Sequence, residues 1–283
     1  MLIADTLRGN LYELIHTHAY MITQEQYGDV HRIDMTPTLF GKKIFPTNAY
    51  IVESLLIDTG TANLSDEFLD MISKYTITTV VNTHTHPDHT GSNHAFPFVY
   101  VHPRGFERLK NPQLDMMIQK LLYGLPQPSV PKEIPSRITT DHYTFDVLYT
   151  PGHSPDHVSL YEPEQKWAFT GDLLLWGSTR EVFIDVQIYD AIESLQRIST
   201  LDIEVLFPGH GPPFKTPGKA LTRQVETLKN YEMEIKELRM RGWSAEEIRN
   251  HIFGRERMYV YLCGSKFSAI NLVRSYLEGF DQQ

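Results

Sequence analysis

The sequence predicts an α/β fold of the α+β kind, in which mixed β-sheets are covered by helices and a helical extension closes the chain. Three observations support this prediction. Short β-branched and aromatic runs recur through the first 214 residues, helix-like stretches separate some of them, and the remaining residues have helical periodicity. Because sheets with an apolar face must be covered by helices or by a second sheet, this order of elements favours a layered protein.

The strand-like runs are bounded by glycine, proline and aspartate, which are typical of strand ends and turns. They are AYIVESLLIDTG (49–60), TTVVNTH (78–84), FPFVYVHP (96–103), YTFDVLYTPGH (143–153), HVSLYEPEQKWAFTGD (157–172) and IEVLFPGH (203–210). Two helices are predicted between them, at 65–75 with Ser65 as the N-cap residue and at 187–200.

From residue 215 onward the pattern is helical. Residues 219–242 carry apolar side chains near a period of 3.6 and reach a stop signal at Gly242. Residues 244–254 begin with a capping box formed by Ser244 and Glu247, and 265–279 is a last amphipathic segment. We therefore divide the chain into a strand-rich domain, residues 1–214, and a C-terminal helical extension, residues 215–283.

Composition narrows the possible functions. The 283 residues are 41% hydrophobic and 22% charged, as in a globular protein with a sizeable core. The net charge of -9 argues against nucleic acid as a partner, because phosphate binding needs many lysines and arginines. No run approaches the roughly 18 apolar residues of a membrane span. A single cysteine and an N-terminus unlike a signal peptide predict a cytoplasmic protein.

Histidine and aspartate are concentrated where strands give way to loops. The segment THTHPDH follows the apolar run TTVV, and the motifs TPGH, FTGD and FPGH end three later strands. If these strands lie side by side, their ends converge on one edge of the sheet. Each short motif alone would be read as a turn, but together they predict a metal site built from His84, His86, Asp88, His89, His153, Asp172 and His210.

Seven such residues suffice for two divalent metal ions. Their donors are nitrogen and oxygen, which favours zinc first, with iron and manganese as alternatives. The remaining histidines are interpreted as surface, core or loop residues, namely His16, His18, His31, His94, His102, His142 and His251. We expect His157, in the segment PGHSPDH, to have a hydrogen-bonded structural role.

These motifs resemble those of the metallo-β-lactamase-fold hydrolase superfamily, and within it the glyoxalase II-related branch. The resemblance covers residues from about 30 to 214 and rests on LIDTG, THTHPDH, TPGHSPDHVSLY, FTGD and FPGHG. It implies a four-layer αββα sandwich with two facing sheets and the metals at one edge. One departure is Asp156, where the pattern of the branch usually has glycine, so the path of this loop stays open.

The resemblance also implies a role for each residue of the site. Asp58 would bind no metal and would instead fix the orientation of the cluster loop, which is the segment THTHPDH at residues 83–89. The first metal would be held by His84, His86 and His153, the second by Asp88, His89 and His210, and Asp172 would bridge the two.

The predicted chemistry follows from the metals. A water bound to zinc can have a pKa near 7, so hydroxide exists at neutral pH without a strong protein base. We predict a binuclear metal-dependent hydrolase that uses a metal-bridging hydroxide to cleave an ester, thioester or similar carbonyl bond of a small molecule. Asp88 would also accept or deliver a proton.

Three alternatives are weighed against this prediction. A lactonase is disfavoured because Leu175 stands three residues after Asp172, where lactonases of the superfamily often carry tyrosine. A mononuclear iron persulfide dioxygenase would have similar histidine motifs but would bind one metal. A non-enzymatic binding module is disfavoured because buried ligands without a metal are costly.

Two regions are candidates for the walls of a substrate site. The insertion at 111–131 is apolar enough to form a lid or a homodimer contact, or it packs onto the sandwich. In the C-terminal extension, Tyr259 and Tyr261 would face substrate or fill core, and Arg255 and Arg257 would neutralise an anionic substrate.

Overall fold

The computed structural model describes residues 20–39, 42–43, 46–173, 180–257, 260–261 and 265–281. Its strands within these ranges are β1 (Tyr20–Tyr27), β2 (Val30–Leu39), β3 (Lys42–Lys43), β4 (Thr47–Val52), β5 (Leu55–Ile57), β6 (Thr79–Val81), β7 (Val99–Val101), β8 (Pro131–Glu133), β9 (Arg137–Thr139), β10 (Thr144–Tyr149), β11 (Val158–Glu162), β12 (Trp167–Gly171), β13 (Val182–Phe183), β14 (Val205–Pro208), β15 (Phe214–Lys215) and β16 (Phe267–Ser268). Its α-helices are α1 (Ser65–Ile72), α2 (Phe106–Lys110), α3 (Met117–Leu122), α4 (Ile188–Ser199), α5 (Gly218–Met240), α6 (Ala245–Phe253) and α7 (Ala269–Asp281).

The strands form two large mixed sheets and one small ribbon. The first sheet has the order β1-β2-β4-β5-β6-β7-β8, with β3 paired to β2. It is antiparallel from β1 to β5 and parallel from β5 to β8. The second sheet has the order β15-β14-β12-β11-β10-β9, in which β12 and β14 are parallel. The ribbon pairs β13 with β16, so the C-terminal segment forms a strand with residues 182–183.

Alternating side chains in the strands decide how the layers stack. In β4, Tyr50 and Val52 belong to a buried cluster with Phe169 and Phe207 of the second sheet, whereas Ile51 packs on the opposite face. Successive strand residues point to opposite faces, so a strand that is buried on both sides carries apolar residues at every position. The two sheets therefore face each other across one core.

Helices cover the outer faces of both sheets. Phe68 of α1 and Leu109 of α2 pack on the first sheet. Helices α4 to α7 pack on the second sheet, where Leu206 of β14 joins their apolar side chains. This arrangement confirms the predicted αββα sandwich. The C-terminal helices share their core with α4, and the domain division after residue 214 stays a prediction.

The local predictions for the first two C-terminal helices, α5 and α6, are confirmed. Helix α6 begins with the predicted capping box, in which the Ser244 hydroxyl accepts from the Glu247 backbone N–H, and it ends at Gly254. The last predicted helix starts later than its amphipathic pattern, because Phe267 and Ser268 pair with β13 as a strand. Among the described residues we find no helix long and apolar enough to cross a membrane.

The insertion at 111–131 packs against the turn at Ala62–Leu64, just before α1, and against β1, where the Tyr20 hydroxyl donates to the Leu121 carbonyl. The Asn63 backbone N–H donates to the Tyr123 carbonyl at 3.0 Å, and the Asn63 side chain donates to the Leu121 carbonyl at 3.0 Å. Leu122 and Tyr123 are buried, whereas Leu125 is 52% exposed. A function of this segment as a lid or a dimer contact stays a prediction.

Candidate metal centre

The structure brings the seven predicted residues together at one edge of the sandwich. The cluster residues follow β6, His153 follows β10, Asp172 follows β12, and His210 follows β14. Their donor atoms form two groups among the described residues: His84, His86, His153 and Asp172 in the first, and Asp88, His89 and His210 in the second. His210 is 31% exposed on its side chain and the other six are buried, so the site opens toward solvent beside His210.

In the first group, three ring nitrogens point at one another. His86 Nδ1 lies 3.0 Å from His84 Nε2 and 2.9 Å from His153 Nε2. The Asp172 carboxylate closes the group, with Oδ2 at 3.4 Å from His153 Nε2 and 3.8 Å from His84 Nε2. A neutral imidazole has one N–H and one lone pair, so a single proton on His86 cannot satisfy both of its neighbours.

Hydrogen bonds outside the group set the tautomer of His84. The Thr83 hydroxyl donates its only proton to Asp58 Oδ2 at 2.8 Å. At His84 Nδ1, 3.1 Å away, the same hydroxyl can therefore only accept. The ring carries its proton on Nδ1, and the lone pair of Nε2 is directed into the group.

The second group has the same arrangement. His89 Nδ1 donates to Asp58 Oδ2 at 2.9 Å and His210 Nδ1 donates to the Pro46 carbonyl at 2.6 Å, which directs both Nε2 atoms inward. Within the described residues, His89 Nε2 is buried without a hydrogen-bond partner. It lies 3.7 Å from Asp88 Oδ2 and 3.4 Å from Asp172 Oδ1.

These contacts fit divalent cations. Lone pairs and carboxylate oxygens that face each other in a buried space repel one another unless a cation lies between them. Ligating histidines characteristically donate their other N–H to a carboxylate or carbonyl, as His89 and His210 do here. The donors are imidazole nitrogen and carboxylate oxygen, which suit zinc and also iron or manganese.

The pKa values of the histidines differ between the two groups. Burial holds the pKa of His84 and of His86 well below the ordinary value, and it lowers the pKa of His153 to about 4. These three rings are neutral at pH 7, as metal ligands must be. Burial opposes charge on His210 too, but the carboxylates of Asp172 and Asp88 together outweigh it and the pKa of His210 rises to about 9.

The pKa of His89 is likewise raised well above the ordinary value, because the carboxylates of Asp172, Asp88 and Asp58 together outweigh its burial. The cationic character of His210 and His89 in turn holds the pKa of Asp172 well below the ordinary range, although burial acts in the opposite direction. A metal ion that enters the second group must therefore displace protons.

Asp58 lies beside the centre and belongs to neither donor group. It follows β5 with a backbone φ of 60°, a left-handed conformation that aspartate tolerates better than most residues. Its carboxylate accepts from the Thr83 backbone N–H at 2.7 Å as well as from the Thr83 hydroxyl and His89. These three hydrogen bonds tie both ends of the cluster loop to one carboxylate.

His157 has the hydrogen-bonded position expected from the sequence. Its Nδ1 donates to the Thr150 carbonyl at 2.9 Å, and its Nε2 accepts from the Asp172 backbone N–H at 3.2 Å. The ring is fully buried and belongs to neither donor group among the described residues. It therefore supports the backbone of Asp172.

Two residues of the site were missed by sequence reasoning. Asn48 holds the His210 loop, since its side chain donates to the carbonyls of Pro208 at 2.8 Å and Gly211 at 2.7 Å. The Phe183 ring packs 5.2 Å from the His86 ring. Neither had a sequence signal, because an asparagine in a strand and a phenylalanine in an apolar run are common in proteins without such a site.

Phe183 also brings the C-terminal segment close to the metal centre. Its ring lies 6.4 Å from the His153 ring and 5.0 Å from the ring of Phe267, its partner in the β13–β16 ribbon. The other described histidines belong to neither donor group. Leu175, Tyr259, Cys263, His16 and His18 lie outside the described residues.

Comparison with known proteins agrees with the fold and the motifs. A sequence model described as "Metallo-beta-lactamase superfamily" matches residues 43–210. The chain is 29% identical over 198 residues to "Atrochrysone carboxyl ACP thioesterase" of Aspergillus fumigatus, covering 67% of this chain and 58% of the relative. It is 34% identical over 74 residues to "Hydroxyacylglutathione hydrolase GloC" of Haemophilus influenzae, covering 25% of this chain and 35% of the relative.

Among solved structures, a metallo-beta-lactamase family protein from Thermus thermophilus superposes with a TM-score of 0.67. The match has 20% sequence identity and covers 90% of this chain and 94% of that one. It shows the common fold. The curated relatives are longer than their matched parts, and the chain spans less than two thirds of the length of either one.

Proposed function

Because the chain belongs to the metallo-β-lactamase superfamily, we propose that it is a binuclear metal-dependent hydrolase that cleaves a thioester or related ester bond of a small molecule. The superfamily and the two enzyme relatives indicate a hydrolase. The binuclear centre, the bond and the substrate are the proposal. One observation carries it: the carboxylate of Asp172 belongs to the first donor group and also lies within 3.4 Å of ring nitrogens of the second.

Asp172 is placed to contact an ion in either group. Its Oδ2 lies 3.4 Å from His153 Nε2 and 3.0 Å from His210 Nε2, and its Oδ1 lies 3.4 Å from His89 Nε2. A carboxylate has two oxygens and several lone pairs, so one side chain can serve two cations. This geometry supports two ions with Asp172 as the shared ligand.

A pair of divalent ions would supply a water of lowered pKa and would polarise the carbonyl oxygen of the substrate. The protein would hold the ions with neutral imidazoles and would restrict access, since the donors are buried except on the His210 side. Asp88 directs Oδ2 toward His89 and His210, at 3.7 and 3.6 Å. We assign the Asp88 carboxylate to accept or return the proton of the reaction.

The preference for a thioester rests on the relatives. One is named a thioesterase and the other a hydroxyacylglutathione hydrolase. We propose zinc as the metal, with iron and manganese as alternatives, because the donor set of nitrogen and oxygen admits all three. Asp58 is proposed to orient the ligands.

The proposed substrate is a small molecule. An anionic group on it would have to compete with Glu181 for the guanidinium of Arg257. The guanidinium Nε of Arg257 lies 3.5 Å from Oε1 of the buried Glu181. A KM that is insensitive to Arg255→Ala and Arg257→Ala would show that these residues take no part in substrate binding.

A homodimer through the exposed side chains of the 111–131 insertion is a further proposal that analytical ultracentrifugation tests.

The central experiment measures metal content and hydrolysis together. Protein loaded with zinc is assayed by elemental analysis and with a panel of acyl thioesters and esters. We expect two zinc ions per chain, and a decrease in kcat/KM of about 100-fold or more in His84→Ala and Asp172→Ala, because each removes a charged or coordinating group at the reacting centre.

His142→Ala is the matched control, since His142 is 78% exposed and lies outside both donor groups. It should retain the activity of the unsubstituted protein. Undiminished turnover in both site variants would refute the proposal. One iron per chain with oxygen consumption would support a persulfide dioxygenase instead.

A further inference from the structure

The carboxylate of Asp156 connects the two loops that carry the histidines of the first donor group. Thr85, which lies between His84 and His86, donates its hydroxyl to Asp156 Oδ2 at 2.6 Å. Ser154, which follows His153, donates its hydroxyl to Asp156 Oδ1 at 2.7 Å. Asp156, Thr85 and Ser154 are all buried, so water does not compete for these hydrogen bonds.

The two loops come from different sheets and have different anchors. The loop of His153 is fastened to the α4 region, where the Gln187 N–H donates to the Gly152 carbonyl at 2.9 Å and the Ser194 hydroxyl donates to the Pro151 carbonyl at 2.8 Å. The cluster loop is fastened to Asp58. A backbone hydrogen bond from Val158 to the Thr83 carbonyl, at 2.7 Å, also joins them. Asp156 adds a side-chain bridge next to the ligands themselves.

A third segment holds the bridge in place. A Cβ at Gly105 would lie 2.6 Å from Asp156 Oδ2 and 2.7 Å from Thr85 Cγ2, so the backbone there packs directly against the bridge. The hydrogen-bond distances of 2.6 and 2.7 Å are short, as is usual for hydroxyls that donate to a carboxylate. The carboxylate therefore has little room to move away from its two partners.

We propose that Asp156 is a positioning residue for the first metal ion, and that it sets the separation of His86 from His153. This inference rests on the metal-binding part of the proposed function and not on the hydrolysis. Glycine at this position has no side chain and cannot form the bridge. Aspartate in place of the glycine that the glyoxalase II-related branch usually has thus adds a second carboxylate, beside Asp58, that preorganises the site.

The expected effect is confined to one of the two metal positions. Loss of a partner that orients a metal ligand commonly weakens metal binding by about 10- to 100-fold. We expect a decrease of this size for the first zinc ion when the bridge is broken. The second ion should keep its affinity, because His89 and His210 are oriented by Asp58 and Pro46.

The experiment compares Thr85→Val with Thr85→Ser. Valine keeps the shape of threonine and removes the hydroxyl, whereas serine keeps the hydroxyl. Zinc affinity is measured by competition with a chromophoric chelator, and the visible absorption spectrum of the cobalt-loaded protein reports the coordination geometry. Thr85→Val should lose affinity at one site with a changed cobalt spectrum, and Thr85→Ser should match the unsubstituted protein.

Asp156→Asn provides a second variant, and Asp202→Asn, at an aspartate that is 76% exposed, is its control. The double variant Thr85→Val/Asp156→Asn should bind zinc no more weakly than the weaker-binding single variant, because both changes break the same hydrogen bond between Thr85 and Asp156. Thermal unfolding of the metal-free proteins is measured alongside.

Unchanged zinc affinity in Thr85→Val and Asp156→Asn would overturn the inference, even if both variants unfold at a lower temperature than the unsubstituted protein. Zinc binding that follows the expected pattern in a protein that hydrolyses none of the thioesters or esters would refute the proposed function and support the inference. An unsubstituted protein that binds no zinc would overturn both.

Discussion

The substitution Asp58→Asn tests the hydrogen bonds of the metal centre while leaving its backbone conformation unchanged. Asp58 has a φ of 60° and accepts three hydrogen bonds, two from Thr83 and one from His89. Asparagine also tolerates this left-handed conformation, so the backbone should stay in place. The amide has only one oxygen, however. Its NH2 group must therefore face an N–H or O–H group that donates to a carboxylate oxygen in the unsubstituted protein.

The size of the effect follows from that mismatch. If the amide oxygen takes the position of Oδ2, the Thr83 backbone N–H faces an NH2 group; if it takes the position of Oδ1, the Thr83 hydroxyl and His89 Nδ1 do. At least one buried donor is left without an acceptor, which costs about 1–3 kcal/mol. We expect a decrease of about 2 kcal/mol in the free energy of unfolding, near the middle of that range.

The assay is urea unfolding of the metal-free protein, because bound metal would add its own stabilisation. The midpoint should fall with an unchanged m-value. Zinc affinity should weaken by about 10- to 100-fold, since a neutral amide replaces the carboxylate that orients His89 and the cluster loop. Asp202→Asn serves as the control at an exposed position and should stay within about 0.5 kcal/mol. An Asp58→Asn protein as stable as this control would refute the reasoning.

Three further predictions concern packing and protons. Gly209→Ala places a Cβ 2.2 Å from Asp172 Oδ1 and should displace that carboxylate, so elemental analysis should find less than the full metal content, whereas Gly218→Ala, with open space around it, should bind metal normally. The pKa of His210 is raised to about 9 in the metal-free protein, so its proton stabilises the fold below pH 6.5 and this contribution is lost as the pH rises toward 9. Because zinc must displace that proton, the zinc affinity should rise over the same pH window by about tenfold per pH unit for each proton displaced. Calorimetry in buffers of different ionisation enthalpy should detect the released protons. A zinc affinity that is independent of pH between about 6.5 and 8.5 would contradict this prediction. Phe169→Ala removes a ring that is 1% exposed and should lower the free energy of unfolding by about 3–5 kcal/mol in urea titrations, and a loss below 1 kcal/mol would contradict the two-sheet core.

The agreement between sequence and structure is closest where the chemistry is local. The strand ends at His153, Asp172 and His210 were visible because glycine, histidine and aspartate interrupt apolar runs. The capping box of Ser244 and Glu247 was visible for the same reason, since both partners lie within one turn of helix. Interactions of this kind depend on neighbours in the chain, and periodicity and turn residues report them directly.

The long-range contacts could not be predicted in this way. Asn48 meets the His210 loop across more than 150 residues, and Phe183 meets both His86 and Phe267. The strand formed by Phe267 and Ser268 was read as part of a helix, because its pairing with β13 outweighs the local pattern.

The sequence by itself determined which side chains carry donor chemistry, where strands stop, and that helices cover mixed sheets, since residue type and periodicity are properties of the chain. Only the tertiary structure decided which donors share an ion-sized space, which nitrogen of each imidazole faces inward, and that Asp156 joins two loops from different sheets. These depend on distances of a few ångströms between segments far apart in the chain. Such distances are set by the packing of the whole sandwich and by no local pattern.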